Sequence, residues 1–220
     1  MIYGMMLQTS INIIRMKGQK MDGSIQVYYG NGRGKTTAAL GLGIRAAGVG
    51  KQVIMVQFLK KKHSDTLDFL KKLEPELQIF RFEKAACGYS DLSPKEKQEQ
   101  MLNIKNALGY SRKVLDTGQC DLLILDEIFG LVDYNIITIE ELMDLIAVKK
   151  DSMDLILTGR NLPEEVRKIA DCIYSIQREK EKTPEILAQG FPDVFLDLDE
   201  ERKDKDGCFY RSRCCDCNSI

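Results

Sequence analysis

The chain has 220 residues, a formal net charge of −1, seven cysteines and one histidine. That length holds one α/β domain with a real core and is short for two. Balanced charge argues against a nucleic-acid partner, and no apolar run approaches membrane-spanning length, so a cytoplasmic protein without a membrane partner is expected.

Residues 1–14 are moderately apolar, but the positive charges (Arg15, Lys17, Lys20) follow that stretch instead of preceding it, the wrong polarity for a secretory signal. MDGSIQVYYG at Met21 reads as a natural start, so residues 1–20 are expected to be an N-terminal extension or the product of an upstream start. Ile25, Val27, Tyr28 and Tyr29 form a strand that Gly30 breaks. Gly30, Gly32 and Gly34 alternate with Asn31 and Arg33, so the backbone can curl and turn several N–H groups to one point. Lys35, Thr36 and Thr37 follow, and a helix of small residues runs from Thr37 to Ala47.

A second strand spans Gln52 to Phe58. The basic KKKHSD stretch after it reads as a solvated turn, with His63 exposed. Ser64 caps a helix to Leu73, and Leu77 to Phe82 is a third strand. Glu83 to Leu92 is irregular. Ser93-Pro94-Lys95-Glu96 is a capping box with Pro at the first helical position, opening a helix to about Leu115 that Asp116-Thr117-Gly118 ends. Leu122 to Leu125 is a continuous apolar run, as in a central parallel strand, and ends in Asp126-Glu127. Thr138, Glu140 and Glu141 open a helix to about Val148. Asp154 to Leu157 is a strand leading into Thr158-Gly159-Arg160, Pro163 starts a short helix, and Cys172 to Gln177 is the last strand. This alternation predicts a single three-layer α/β domain over residues 21–180 with a mostly parallel, doubly wound sheet, and the glycine turn before Lys35 and Thr36 makes it P-loop NTPase-like. Residues 181–220 form a charged, Cys-rich tail. Cys208, Cys214, Cys215 and Cys217 lack paired CxxC spacing, which favours a redox-prone tail over a zinc site. Cys87, Cys120 and Cys172 are expected to be reduced.

The glycine-rich turn is where the chemistry is legible. A helix N-terminus offers free N–H donors and the positive end of a dipole, Lys35 adds a cation, and Thr36 or Thr37 adds a hydroxyl. Such an arrangement suits a polyphosphate with bound Mg²⁺. The strict string GxxxxGK[ST] would need Gly at position 29, where Tyr29 stands. Asp126-Glu127 reads as the acidic partner of the loop, since Mg²⁺ takes carboxylate, hydroxyl and phosphate oxygens. Arg160, after a strand, is placed to reach a phosphate chain. A phosphate contact is plausible for Asn31 or Arg33 as well. The plainer readings are a surface turn, a strand-capping carboxylate pair and a surface arginine.

GNGRGKTTAALGLGIRAAGVGKQVIMVQFLK resembles the signature of the P-loop corrinoid adenosyltransferases (cob(I)yrinic acid a,c-diamide adenosyltransferases), with G-N-G-[KR]-G-K-T-T-A-A followed by V-x-x-x-Q-F-[IL]-K. The likeness resumes at DLLILDEI and ILTGR and covers roughly Ile25 to Gln177. It implies attack of a corrinoid's cobalt(I) on C5′ of ATP with release of triphosphate, which needs positioning and charge stabilisation but no side-chain nucleophile. Lys35 and Arg160 then act on the reacting nucleotide. Gly30, Asn31, Gly32, Arg33, Gly34, Lys35, Thr36 and Thr37 hold it, and Thr36, Glu127 and Asp126 serve Mg²⁺. Glu127 is the preferred metal-side carboxylate, with Asp126 holding a water or the loop. An electron-donating reductase or flavodoxin is an implied partner, and a homodimer an implied assembly. The family's G-[FT]-x-W aromatic stretch is replaced by Ala86-Cys87-Gly88-Tyr89-Ser90, and the chain has no Trp. Tyr89 is the nearest candidate for an aromatic wall of the corrinoid pocket. Two other readings stay open: a P-loop kinase or NTPase cleaving at the γ-phosphate, and a nucleotide- or corrinoid-binding protein without turnover.

Overall fold

The structure is a computed structural model and describes residues 22–60, 70–82, 89 and 92–180. The chain divides between Glu181 and Lys182, and all described residues belong to the first unit. Six strands form one sheet: β1 (Ile25–Tyr29), β2 (Val53–Gln57), β3 (Leu77–Arg81), β4 (Leu122–Asp126), β5 (Asp154–Gly159) and β6 (Cys172–Ser175). Their order is β3-β2-β4-β5-β1-β6, and every neighbouring pair is parallel. Parallel neighbours need crossovers, and helices make up most of those described: α1 (Lys35–Ala47), α2 (Pro94–Thr117), α3 (Ile128–Asp133), α4 (Ile139–Ala147) and α5 (Glu164–Ile169). The α/β architecture with a parallel sheet is as the sequence predicts.

All five residues of β2 and of β4 are buried. Central strands covered on both sides have no polar face to show, hence the unbroken runs VIMV and LLIL. One face of the sheet packs Val53, Met55, Leu122, Ile124 and Ile156 around Ala39 of α1. The other sets Val56, Leu123, Leu125 and Leu157 against Ile104 of α2, Phe129 of α3 and Leu142 of α4. Each such large buried side chain contributes about 1.5–3 kcal/mol.

Local signals fix the helix ends. Ser93 Oγ accepts from the Glu96 N–H at 3.4 Å while the Glu96 carboxylate accepts from the Ser93 N–H at 2.9 Å. Thr138 and Glu141 repeat the exchange at α4, at 3.2 and 2.9 Å. Gly118, at φ 66°, closes α2 by donating to the Val114 carbonyl.

Several boundaries differ from expectation. α1 starts at Lys35, two residues early, because Gly34 takes the left-handed turn that launches it. β6 stops at Ser175 instead of Gln177, because the Ile176 carbonyl turns to the Gly32 N–H. α3 was not expected: six residues are too few to show a period, and no capping side chain marks its start. The expected helix from Ser64 falls mostly outside the described residues, of which 71–73 form a 3-10 turn. The N-terminal extension, His63, Cys87 and the Cys-rich tail also lie outside them. Cys120 is a buried free thiol whose pKa burial pushes up to about 12, and Cys172 is half-buried and free. Among the described residues no helix is long and apolar enough to cross a membrane.

Thr138→Ala removes one cap and half of a reciprocal pair. We expect it to lower stability by about 1 kcal/mol in urea unfolding with an unchanged m-value; an unchanged midpoint would show that α4 does not depend on that cap.

Candidate active site

Side chains alternate across a strand, so positions 53, 55 and 57 of β2 share a face with 122, 124 and 126 of β4 and 156 and 158 of β5. On the α1 side these rows are apolar until their last members, Gln57, Asp126 and Thr158, which are buried polar residues. Arg81 lies opposite Gln57, and Gln57 opposite Asp126, in the registers of β3, β2 and β4. The amino end of α1 arrives at this polar row. It therefore sets Lys35 and Thr36 at the carboxyl ends of the central strands, where open parallel sheets bind ligands.

Asp126 is 0% exposed, and its carboxylate is filled by neighbours. Thr36 Oγ1 donates to both of its oxygens, at 2.9 and 3.0 Å, Thr158 Oγ1 donates to Oδ1 at 2.8 Å, and Gln57 Nε2 donates to Oδ2 at 3.0 Å. Thr158 Oγ1 in turn accepts from the Glu127 N–H at 2.8 Å. A buried carboxylate without such donors would cost several kcal/mol.

The glycine loop is held from behind by the chain after β6. The Gly32 N–H donates to the Ile176 carbonyl at 2.9 Å, and a Cβ on Gly30 would come within 2.3 Å of that oxygen. Gly34 has φ 108°, a conformation open to glycine and costly for other residues. Lys35 Nζ donates to the Gly30 and Gly32 carbonyls, at 2.8 and 3.0 Å. Burial holds its pKa below the usual lysine range, opposed chiefly by the charge of Glu127.

Glu127 follows β4 in the left-handed region at φ 59°. Burial raises its carboxyl pKa; the nearby charge of Lys60 pulls the other way, and Lys35 and Arg160 do so more weakly. Three cations and two carboxylates thus share this corner. Leu59, also left-handed at φ 55°, turns the chain just before Lys60.

Of the predicted site residues, Gly30, Gly32, Gly34, Lys35, Thr36, Asp126, Glu127 and Arg160 are brought together. Thr37 is exposed, and the hydroxyl on Asp126 is that of Thr36. Asn31 spends its side-chain oxygen on the Arg178 N–H, at 3.1 Å. Arg33 is exposed. Tyr89 is half-buried, its ring 5.4 Å from that of Tyr134 and 5.7 Å from Lys97 Nζ. Of the two expected roles of Asp126, holding a water or the loop, the structure shows it on the loop's Thr36. Sequence reasoning passed over Gln57, Thr158 as a side-chain partner, Lys60 and the Ile176–Arg178 clasp. The one signal for Lys60 was its place at the head of a basic run, which reads as solvated, whereas the residue is half-buried.

The donors fit Mg²⁺. Thr36, Asp126 and Glu127 offer only oxygens, and Mg²⁺ commonly binds one or two carboxylates with substrate phosphates in place of an all-protein cage. Among the described residues there is no group of three or more His, Cys, Asp or Glu suited to a metal. Because Thr36 gives its hydrogen to Asp126, its oxygen lone pairs stay available to a cation.

The model of the ATP:corrinoid adenosyltransferase BtuR/CobO/CobP family matches residues 21–190. The chain belongs to that family. The corrinoid adenosyltransferase of Escherichia coli K12 is 29% identical over 164 residues, 74% of this chain and 81% of that protein. The corrinoid adenosyltransferase CobA of Salmonella typhimurium matches with the same identity and coverage. Among solved structures, a KaiC-like protein from Pyrococcus horikoshii superposes with a TM-score of 0.49 at 19% identity, covering 74% of this chain and 76% of that one. That family is one of ATP:corrinoid adenosyltransferases, which use ATP and a corrinoid.

Asp126→Asn should test the hub. An amide sets its NH₂ in place of one oxygen, where two donors now point, so stability should fall by about 1–3 kcal/mol in urea unfolding. A wild-type midpoint would mean that the carboxylate does not organise these side chains.

Proposed function

We propose that this protein transfers the 5′-deoxyadenosyl group of ATP to the cobalt(I) of a corrinoid, cob(I)alamin or cob(I)yrinic acid a,c-diamide, with release of inorganic triphosphate. The cobalt(I) electron pair forms the Co–C5′ bond, the C5′–O bond breaks, and its electrons leave on the triphosphate. The observation that carries the reading is the pairing of a glycine loop and α1 amino end with a buried carboxylate that fixes Thr36. No side-chain nucleophile is required.

In this reading the loop N–H groups and Lys35 hold the phosphate chain. Lys35 leaves the Gly30 and Gly32 carbonyls for phosphate oxygens, whose negative charge favours its charged form where burial disfavours it. Arg160 and Lys60 offset the charge that grows on the leaving group. Thr36 and Glu127 would hold Mg²⁺, with Asp126 fixing the Thr36 hydroxyl, and the ion when bound would supply further charge neutralisation on the phosphates. Tyr89 contributes to the corrinoid wall, and an external reductase or flavodoxin supplies the electrons that make cobalt(I).

Glu127 favours a second reading. A carboxyl with a raised pKa beside the loop can serve as a base for water, as in a γ-phosphate-cleaving NTPase. The products separate the two. With MgATP and chemically reduced cob(I)alamin under anaerobic conditions, we expect adenosylcobalamin and triphosphate in equal amounts; ADP and phosphate without a cobalt–carbon product would overturn the proposal.

Lys35→Ala should lower turnover at least 100-fold, as for loss of a main charge-stabilising group, with an unchanged unfolding midpoint. Near-wild-type turnover would remove the loop from the mechanism. Tyr89→Ala should raise the corrinoid KM and leave ATP binding alone; an unchanged corrinoid KM would take Tyr89 out of that pocket.

A further inference from the structure

We propose that Gln57 and Arg81 are positioning residues of the nucleotide site, forming a side-chain chain that sets the Asp126 carboxylate and, through it, the Thr36 hydroxyl. The inference rests on the reading of Thr36 and Asp126 as the cation side of an ATP site, and it adds two residues that act through Asp126.

Arg81 Nε donates to Gln57 Oε1 at 2.7 Å, Gln57 Nε2 donates to Asp126 Oδ2 at 3.0 Å, and Thr36 donates to both oxygens of Asp126. The three strands hold Arg81, Gln57 and Asp126 at one register level, so the chain runs straight across the sheet. Gln57 is 5% exposed, and at its place in a strand whose other four residues are apolar it is a costly choice. An amide meets the need because it accepts at one end and donates at the other. Arg81 fixes which way round that amide stands: with the oxygen held by the guanidinium, the NH₂ must face Asp126. A reversed amide would set oxygen against carboxylate and nitrogen against guanidinium. Asp126 thereby keeps Oδ2 pinned, and its carboxylate plane is set for Thr36 and Thr158.

Two substitutions separate positioning from mere packing. Gln57→Leu removes both hydrogen bonds and keeps the apolar bulk. Arg81→Met leaves the Gln57 amide in place and removes the donor that holds its oxygen, so the amide can turn and set oxygen against the Asp126 carboxylate.

The readout is ATP binding by calorimetry as a function of Mg²⁺, on the full chain, with turnover and unfolding midpoint measured beside it. For Gln57→Leu we expect the Mg²⁺ concentration at half-maximal ATP binding to rise about tenfold with an unchanged corrinoid KM. For Arg81→Met we expect a shift in the same direction of about threefold. Wild-type Mg²⁺ dependence in both variants would overturn the proposal. If Gln57→Leu does not fold, the Mg²⁺ dependence of Arg81→Met decides alone. Because ATP binding is read without corrinoid, failure of the adenosyl-transfer reading would appear in the wild-type products and leave this outcome legible.

Discussion

The arrangement depends on one buried carboxylate. Asp126 ends a strand with no solvent on either side, and it is tolerable there because Thr36, Thr158 and Gln57 supply donors from three other elements. Each of those donors is pinned in turn. Thr36 is the second residue of α1, Thr158 ties the backbone of Glu127, and Gln57 is held by Arg81. The amino end of α1, the turn after β4 and the ends of β2 and β5 are thereby held in a single mutual geometry. A helix N-terminus is a general anion site; the carboxylate behind it makes this one suited to an anion that arrives with a cation.

The second constraint is the contact of the loop with the chain after β6. Gly32 donates to Ile176, Asn31 accepts from Arg178, and Lys35 is folded onto the loop carbonyls. The curl is thus held from behind by backbone and from within by the lysine ammonium. A phosphate chain that replaces the two carbonyls meets a loop already shaped for it, which lowers the ordering cost of binding. The clasp also means that the end of the sheet and the start of the following chain belong to the nucleotide site, although they stand about 145 residues from the loop in sequence.

Much of this was legible in the sequence, and the reasons differ by element. The capping box at Ser93 and the helix start at Thr138 are local, and both formed where read. The runs at β2 and β4 are central strands because nothing else hides eight apolar residues on two faces. The loop, Asp126-Glu127 and Thr158-Gly159-Arg160 declare their chemistry through residue type and place. What escaped notice depends on register across strands. Gln57 in a strand reads as a polar end, and only the pairing of β2 with β3 and β4 brings it between Arg81 and Asp126. Lys60 was hidden by its basic neighbours, since the left-handed turn at Leu59 that brings it inward has no glycine to announce it. α3 offered six residues and no cap.

The most direct test of the account is a crystal structure of the protein with ATP and Mg²⁺. The account predicts the phosphate chain within the Gly30–Lys35 cradle, Lys35 Nζ on phosphate oxygens, and the cation on Thr36 while Thr36 still donates to Asp126. A nucleotide bound away from the loop, or an Asp126 carboxylate turned from Thr36 with the cation elsewhere, would contradict it.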